Sequence, residues 1–349
     1  WRPDIDGEAD LVEEVLRIHG YDAIPSVATD RDNAVPKPVR NAAQSRAESA
    51  RRMLAARGLV EAVTYSFMEA SRADFFGGVV DGVRLVNPIS ADLDVMRPSI
   101  LPNLVAAIAR NQARGIDNPA LFELGPHYSD DTPDGQALVA AGLRAGATAP
   151  RSWAEAPRPV DALDAKADAL AALEAAGAPV GNLQISADAP DWYHPGRSAC
   201  ARLGPTILAR FGELHPRILR AMEAEGPIAA FEVFLDNVPP ARKKAGTAKP
   251  LLTLSPFQPV HRDFAFIVNE AIVAGDVLKT IRSVDRNLIT DVSLFDVYRG
   301  KGVDDHKKSF ALAVTLQPVE ATMTDDQIDA VADKIVAAVV KQNGGILRG

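Results

Sequence analysis

The sequence predicts an α+β protein with more than one domain. Three observations support this prediction. Hydrophobic residues recur at helical spacing in some segments and alternate in others, and helix-like and strand-like segments are interleaved along the chain. A stretch rich in Pro, Gly and Lys then separates two such regions. With 349 residues, the chain is long enough for two or three domains, each with its own core.

Composition narrows the possible functions. The net charge is -8, so any contact with nucleic acid or anionic lipid must come from a local patch. The single cysteine, Cys200, excludes an internal disulfide framework and a Cys-rich metal site. No apolar run is long enough to span a membrane, and no signal segment opens the chain. We therefore expect a cytoplasmic protein, and the Trp1 start predicts a piece of a longer polypeptide.

An amphipathic helix is predicted at residues 7–19. Its apolar residues recur every three or four positions, at Leu11, Val12, Val15 and Ile18. Asp6 is the predicted N-cap, and Gly20 ends the helix.

Four carboxylates accompany this helix. Asp10, Glu13 and Glu14 lie one turn apart on one face, and Asp4 lies just upstream. One interpretation is a solvated acidic face that the helix dipole favours. The other is a Mg²⁺ site, because Mg²⁺ takes oxygen ligands, often carboxylates. Spacing alone favours the solvated face.

Helices and strands both occur between residues 39 and 236. Helices are expected at 39–58, from Pro102 onward, at 161–176 and in HPRILRAME. Strands are expected at 63–67 and in VRLVNPI, ALFELG and IAAFEVFL, with a hairpin that turns at Gly204 and Pro205. The pattern is that of a mixed α and β domain.

The region after the linker VPPARKKAGTAKP is the most regular part of the chain. HRDFAFIV, ITDVSLFDVY and KKSFALAVTL alternate as strands do, and a short GILRG ends the chain. GDVLKTIRSV and DDQIDAVADKIVAAVV have helical spacing, and Thr324 with Gln327 forms a capping box for the second helix. The order β-α-β-β-α-β predicts a ferredoxin-like domain, a fold with many unrelated functions.

Three ordered stretches are more specific than the fold. They are WRPDIDGEADLVEEVLRIHGYDAIP; VMRPSILPNLVAAIARN with LFELG; and FQPVHRDFAFIV with LFDVYRGKG and KKSFALAVTL. Together they resemble the C-terminal half of the bacterial phenylalanyl-tRNA synthetase beta subunit family. The resemblance implies four parts: the end of a small metal-ligand-bearing helical module (1–26), a class II synthetase-like antiparallel-sheet core (36–240), a linker (241–255) and a ferredoxin-fold anticodon-binding domain (256–349).

The resemblance also implies partners and cofactors. It implies an α₂β₂ enzyme that joins phenylalanine to its tRNA, with ATP used by the alpha subunit. The family's Mg²⁺ ligands, shared with that subunit, fall on Asp4, Asp10, Glu13 and Glu14. With the resemblance, the metal site becomes the favoured interpretation of the acidic face.

The catalytic-like core is predicted to be inactive. Adenylate transfer needs cations placed against developing phosphate charge. Where the resemblance would place an arginine, the chain has Ser129, Asp130 and Asp131, whose carboxylates repel a triphosphate, and no arginine adjoins Glu232 in sequence. Arg97 is retained and is predicted to be structural. The core is therefore expected to pack against the alpha subunit.

Cationic and aromatic residues of the last domain are the candidate tRNA contacts. From Ser255 onward the chain has 11 Lys and Arg against 13 Asp and Glu, a net charge of about -2, so only a local patch can attract RNA. The candidates are Arg282, Arg286, Tyr298, Arg299, Lys301, Lys307 and Lys308. For any single residue, an ordinary solvated charge is an equal alternative.

The favoured interpretation is a non-catalytic beta-subunit fragment that supports assembly and anticodon recognition. The alternative is a free-standing RNA-binding or scaffold protein with the same modules, and a stoichiometric synthetase partner would separate the two. An autonomous ligase is opposed by the acidic residues after Tyr128. His194 and His215 are predicted to have turn or packing roles, and Cys200 to be buried and inert.

Overall fold

The computed structural model describes residues 2–28, 38–240, 251–252 and 254–348, and most predicted helices and strands are present in it. The helices are α1 (Glu8–His19), α2 (Ala42–Ala56), α3 (Ala70–Ala73), α4 (Leu101–Gln112), α5 (Ala162–Ala175), α6 (Pro216–Ala221), α7 (Ala274–Val284) and α8 (Asp325–Asn343). The strands are β1 (Val60–Glu61), β2 (Phe67–Met68), β3 (Val95–Met96), β4 (Ala120–Tyr128), β5 (Gln136–Ala145), β6 (Gln184–Ser186), β7 (Tyr193–Leu203), β8 (Thr206–Leu214), β9 (Ile228–Phe234), β10 (Val260–Asn269), β11 (Ile289–Tyr298), β12 (Lys307–Leu316) and β13 (Ile346–Leu347).

Helix α1 begins one residue later than predicted. Its N-cap is Gly7, because the side chain of Asp10 accepts the backbone N–H groups of both Asp6 and Gly7. The helix ends at Gly20, which has a positive φ of 103°. None of its residues is buried, so the apolar stripe has no partner within the described residues.

A seven-stranded sheet forms the centre of the larger domain. The strand order is β1-β4-β5-β9-β8-β7-β6; β1 pairs with β4 in parallel, and the other pairs are antiparallel. Helices α2 and α5 pack on one face through small residues such as Ala169 and Ala172. Helices α4 and α6 cover the other face. Side chains that alternate along β9 enter one core or the other, so both faces of this sheet are buried.

Two predicted strands are wrong. In 63–67 only Phe67 belongs to a strand. Val63 and Tyr65 are exposed, and Thr64 turns inward to bond Glu123, so the alternation reflects one inward polar side chain rather than strand pairing. In VRLVNPI only Arg84 forms an isolated bridge, since Val86 and Ile89 point to solvent.

Strand β5 was not predicted, although it lies at the centre of the sheet. Half of its ten residues are Ala or Gly, which have low intrinsic strand preference. Small residues are required there because a Cβ on Gly142 would collide with the ring of Phe231 on β9. The sheet therefore sets the residue size at this position, and local propensity does not reveal the strand.

The ferredoxin-like arrangement is confirmed. Its four strands have the order β11-β12-β10-β13 and are antiparallel, with α7 and α8 packed on one face over Phe266, Phe310 and Leu312. The predicted capping box of α8 is present, since Thr324 and Gln327 exchange side-chain and backbone hydrogen bonds. Most of the predicted linker lies outside the described residues. Among the residues described, no helix combines the length and apolar character needed to cross a membrane.

Candidate functional site

Three of the four acidic residues near α1 contact arginines. One nitrogen of Arg2, Nη2, donates to Asp4 Oδ2 at 2.6 Å and to Glu14 Oε1 at 2.8 Å. Arg17 lies 3.0 Å from Glu14 and 3.9 Å from Glu13. Asp4 and Glu14 thus share the guanidinium of Arg2, and Glu13 is linked to them only through Arg17.

Asp10 is used differently from the other three carboxylates. Its Oδ2 accepts the N–H groups of Asp6 and Gly7 at 2.9 and 2.8 Å, and these bonds lower the pKa of Asp10. Across the described residues, no group of three or more His, Cys, Asp or Glu side chains lies close enough to hold a metal ion. The predicted ligands have the right oxygen chemistry for Mg²⁺ but do not form a metal site by themselves in this chain.

Arg97 is a structural residue of the core. Only 1% of it is exposed; its Nη1 donates to Glu123 at 2.7 Å and its Nε donates to the Pro126 carbonyl at 2.9 Å. Thr64 completes the cluster by donating to the second oxygen of Glu123. Because its Nε and Nη1 donate to groups inside the protein and its charge is paired with Glu123, Arg97 has a structural role, as predicted.

Glu232 is likewise committed to internal bonds. Its Oε1 accepts from Ser99 at 2.6 Å and its Oε2 accepts from the Tyr193 hydroxyl at 3.4 Å. Burial raises the pKa of Tyr193 well above its usual value, so the phenol stays protonated and keeps donating.

The acidic residues after β4 form a turn. Asp130 Oδ1 accepts from both the N–H and the hydroxyl of Thr132, and these bonds lower the pKa of Asp130. Its negative charge is therefore fixed at this position, with Asp131 exposed beside it.

Several predicted tRNA contacts are held by neighbouring groups of the protein. Arg299 forms an ion pair with Glu270 at 2.6 Å, and Lys308 donates to the backbone carbonyl of Glu270 at 2.7 Å. Lys307 pairs with Asp304 at 2.8 Å. These three cations lie on one hairpin as predicted, but acidic residues offset much of their charge.

The other predicted contacts are more varied. Arg282 donates to the carbonyl of Val292, so it ties α7 to β11. Arg286 and Lys301 are exposed, and within the described residues their side chains form no ion pair. One face of Tyr298 is covered by the guanidinium of Arg348, 5.4 Å from the ring centroid.

The sequence did not predict which face of the ferredoxin-like sheet is left uncovered by helices. Tyr298 is paired with Ser309, which directly precedes the core residue Phe310 on β12, so both side chains face away from α7 and α8, although Ser309 itself is buried. Ala311 and Ala265 are paired next to them on the same face. The result is a shallow surface of small side chains with an aromatic ring at its edge. The alternation of small and large residues along β12 is the signal that could have revealed it.

The remaining candidates have structural roles, as predicted. His215 accepts the N–H of Arg217 and caps α6, and His194 accepts the N–H of Gly196 in a turn. Cys200 is fully buried, and burial raises the pKa of its thiol, so it is not a reactive thiolate.

Comparison with known proteins assigns the family. Residues 25–235 match the model described as "Phenylalanyl tRNA synthetase beta chain CLM domain", and residues 255–348 match the "Ferredoxin-fold anticodon binding domain". The phenylalanine–tRNA ligase beta subunits of Rhodospirillum rubrum, Paramagnetospirillum magneticum and Bradyrhizobium diazoefficiens are 54%, 52% and 50% identical to this chain.

Each of these alignments covers 100% of this chain but only 43% or 44% of the relative, so the chain spans less than half the length of the curated relatives it matches. Among solved structures, pyrrolysyl-tRNA synthetase from Desulfitobacterium hafniense gives a TM-score of 0.44 at 17% identity, over 57% of this chain and 68% of that one, a similarity too low to argue from. The two domain matches and the identity along the whole chain place it in the phenylalanyl-tRNA synthetase beta chain family.

Proposed function

We propose that this chain supports the ATP-dependent attachment of phenylalanine to its tRNA by binding a catalytic alpha subunit and the tRNA anticodon, within a cytoplasmic α₂β₂ enzyme. The observation that carries the proposal is the open sheet face of a domain that matches an anticodon-binding model. Residues 36–240 would form the core that contacts the partner, and 256–349 the tRNA-binding domain. Chemistry would occur on the partner, with ATP.

The open face suits a single-stranded base. Bases of an anticodon loop are unstacked and are held by aromatic planes and by polar groups at their edges. Tyr298 supplies a plane and Ala311 leaves room above the sheet, whereas Ser309 beside them is only 3% exposed. A larger side chain at Ala311 would fill the space that a base needs.

Lys301 is the best candidate for a phosphate contact. It is exposed and makes no ion pair within the described residues, whereas Arg299 is paired with Glu270. Each phosphate contact releases counterions and adds to the salt dependence of binding.

The test measures tRNA binding by the holoenzyme at several salt concentrations. Lys301→Gln should weaken binding and reduce the salt slope by about 1. Ala311→Leu should weaken binding without changing the slope. Lys279→Gln, on α7 rather than the hairpin, is the control. If neither Lys301→Gln nor Ala311→Leu changed the affinity for tRNA, this face would not be a tRNA contact.

Assembly with a catalytic partner is tested by co-purification of the full-length subunit from its source. Equal amounts of a class II synthetase alpha subunit are expected. Recovery of the subunit alone would instead favour a free-standing RNA-binding or scaffold protein.

The Mg²⁺ ligands remain Asp4, Asp10, Glu13 and Glu14 in this proposal. The pairing of Asp4 and Glu14 with one guanidinium supports a cation between them, and a divalent ion would take that place once the partner adds ligands. Glu13→Gln with Glu14→Gln should lower the bound Mg²⁺ of the purified complex. Unchanged metal content would contradict these ligands.

A further inference from the structure

Arg210 on β8 has no hydrogen-bond partner among the described residues. The described residues include six arginines that are buried or half-buried. Five of them donate to a protein oxygen: Arg46, Arg51, Arg97, Arg144 and Arg202. Arg210 makes no hydrogen bond or ion pair within the described part of the chain, and its Nε is inaccessible to solvent. A guanidinium in this position is costly unless an anion pairs with it.

The surroundings hold this guanidinium in place, but no described residue accepts a hydrogen bond from it. Its Cζ lies 5.1 Å from the ring centroid of Phe234 and 5.7 Å from that of Trp192, so two aromatic rings fix its position. Glu232 is its direct register partner on β9, but the oxygens of Glu232 bind Ser99 and Tyr193. The carboxylate of Glu232 therefore offsets the charge of Arg210 but accepts no hydrogen bond from it.

A pocket of about 460 Å³ lies beside Arg210 at this end of the sheet, within the size range of small-molecule sites. Its wall includes His127, Leu138, Ile207, Arg210, Phe234 and Asp236. Burial lowers the pKa of His127, so the imidazole is neutral near pH 7 and adds no second positive charge. The carboxylate of Asp236 already accepts the N–H of Leu138 at 2.7 Å. The pocket therefore offers a guanidinium that has no hydrogen-bond acceptor among the described residues, beside apolar side chains and the carboxylate of Asp236.

We infer that this pocket binds a small carboxylate with an apolar body. The carboxylate accepts from the guanidinium of Arg210 in the bidentate geometry that this group favours. The apolar body packs on Phe234, Leu138 and Ile207. Nothing in the anticodon-binding or assembly proposals requires this site, so it stands or fails independently of them.

The test uses the complete enzyme with the partner's amino-acid site filled by a non-hydrolysable phenylalanyl-adenylate analogue. Binding of radiolabelled 3-phenylpropanoate is measured by equilibrium dialysis. Wild-type enzyme should bind about one molecule per beta chain, and Arg210→Gln should weaken binding about tenfold or more. Arg217→Gln, which removes an exposed arginine paired with Asp191, should bind as wild type. Phenethylamine, which lacks the carboxylate, should not compete.

A second measurement needs no variant. Phenylglyoxal modifies arginines, and 3-phenylpropanoate should protect the Arg210 peptide of the wild-type enzyme while leaving the Arg217 peptide reactive. Absence of binding to wild type, equal binding to Arg210→Gln, competition by phenethylamine or failure to protect Arg210 would each overturn the proposal.

Discussion

One buried carboxylate in the larger domain, Asp168, is matched by two arginines. Asp168 on α5 is fully buried, and its two oxygens accept from Arg57 and Arg144 at 2.6 Å each. Arg144 also donates to the carbonyl of Arg57. This cluster ties α5 to the end of α2 and to β5, so one carboxylate holds three elements together.

Asp168→Ala should therefore lower the stability of the domain. Both guanidinium groups would lose their carboxylate, and breaking a buried ion pair from one side costs about 3 kcal/mol. Urea unfolding of the full-length subunit checks the value. Asp191→Ala, which removes an exposed partner of Arg217, should cost less than about 1 kcal/mol. Equal losses in the two variants would contradict the role given to Asp168.

His127 makes stability depend on pH. Burial holds its pKa below the ordinary value of 6.5, so the unfolded chain binds a proton that the folded chain releases. Its contribution is complete above pH 6.5 and is lost as the pH falls from there toward the lower folded-state pKa. Between pH 7.5 and pH 5, the urea midpoint of wild type should fall more than that of His127→Gln. Parallel profiles would contradict this linkage.

At the scale of elements, capping residues predicted helix ends more reliably than residue propensity predicted strands. The capping box of α8 and the terminal glycine of α1 follow from local hydrogen bonding, so the sequence reveals them. Strand β5 follows from the space between β4 and β9, which the local sequence does not encode.

Thr324→Ala should destabilise the ferredoxin-like domain by about 1 kcal/mol, because its hydroxyl oxygen accepts the Gln327 N–H at the start of α8. Thermal or urea unfolding measures the change. Thr322→Ala is a matched control, since Thr322 is exposed and lies just outside the cap. A loss of stability in the control equal to that in Thr324→Ala would rule out the capping explanation.

At the scale of the whole molecule, a group of exposed apolar residues is the candidate surface for the assembly proposed above. Val60 lies on the edge strand β1, and Val63 and Tyr65 follow it closely in sequence. Their exposed fractions are 65%, 92% and 72%, which is high for apolar side chains. A cluster of this kind at an unpaired sheet edge is typical of a protein interface. We expect the catalytic partner to cover it.

Val63→Asp together with Tyr65→Asp should reduce recovery of the alpha subunit in co-purification about tenfold or more, because each charge would be buried against the partner. Leu163→Asp, an exposed apolar residue on α5, is the control. Full recovery of the partner with the double variant would place the interface elsewhere.

The sequence by itself determined most of the helices and the ferredoxin-like domain, because periodicity and capping are local properties. The sequence did not show which cations of the hairpin are paired with acidic residues. Glu270 is remote from Arg299 in sequence, and only the β10–β12 pairing brings them together. Tertiary structure alone also decided that Arg2 lies between Asp4 and Glu14, and that Arg210 faces a pocket without a partner among the described residues. The physical reason is the same in each case: a charge is defined by its neighbours in space, and strand register and chain reversal choose those neighbours.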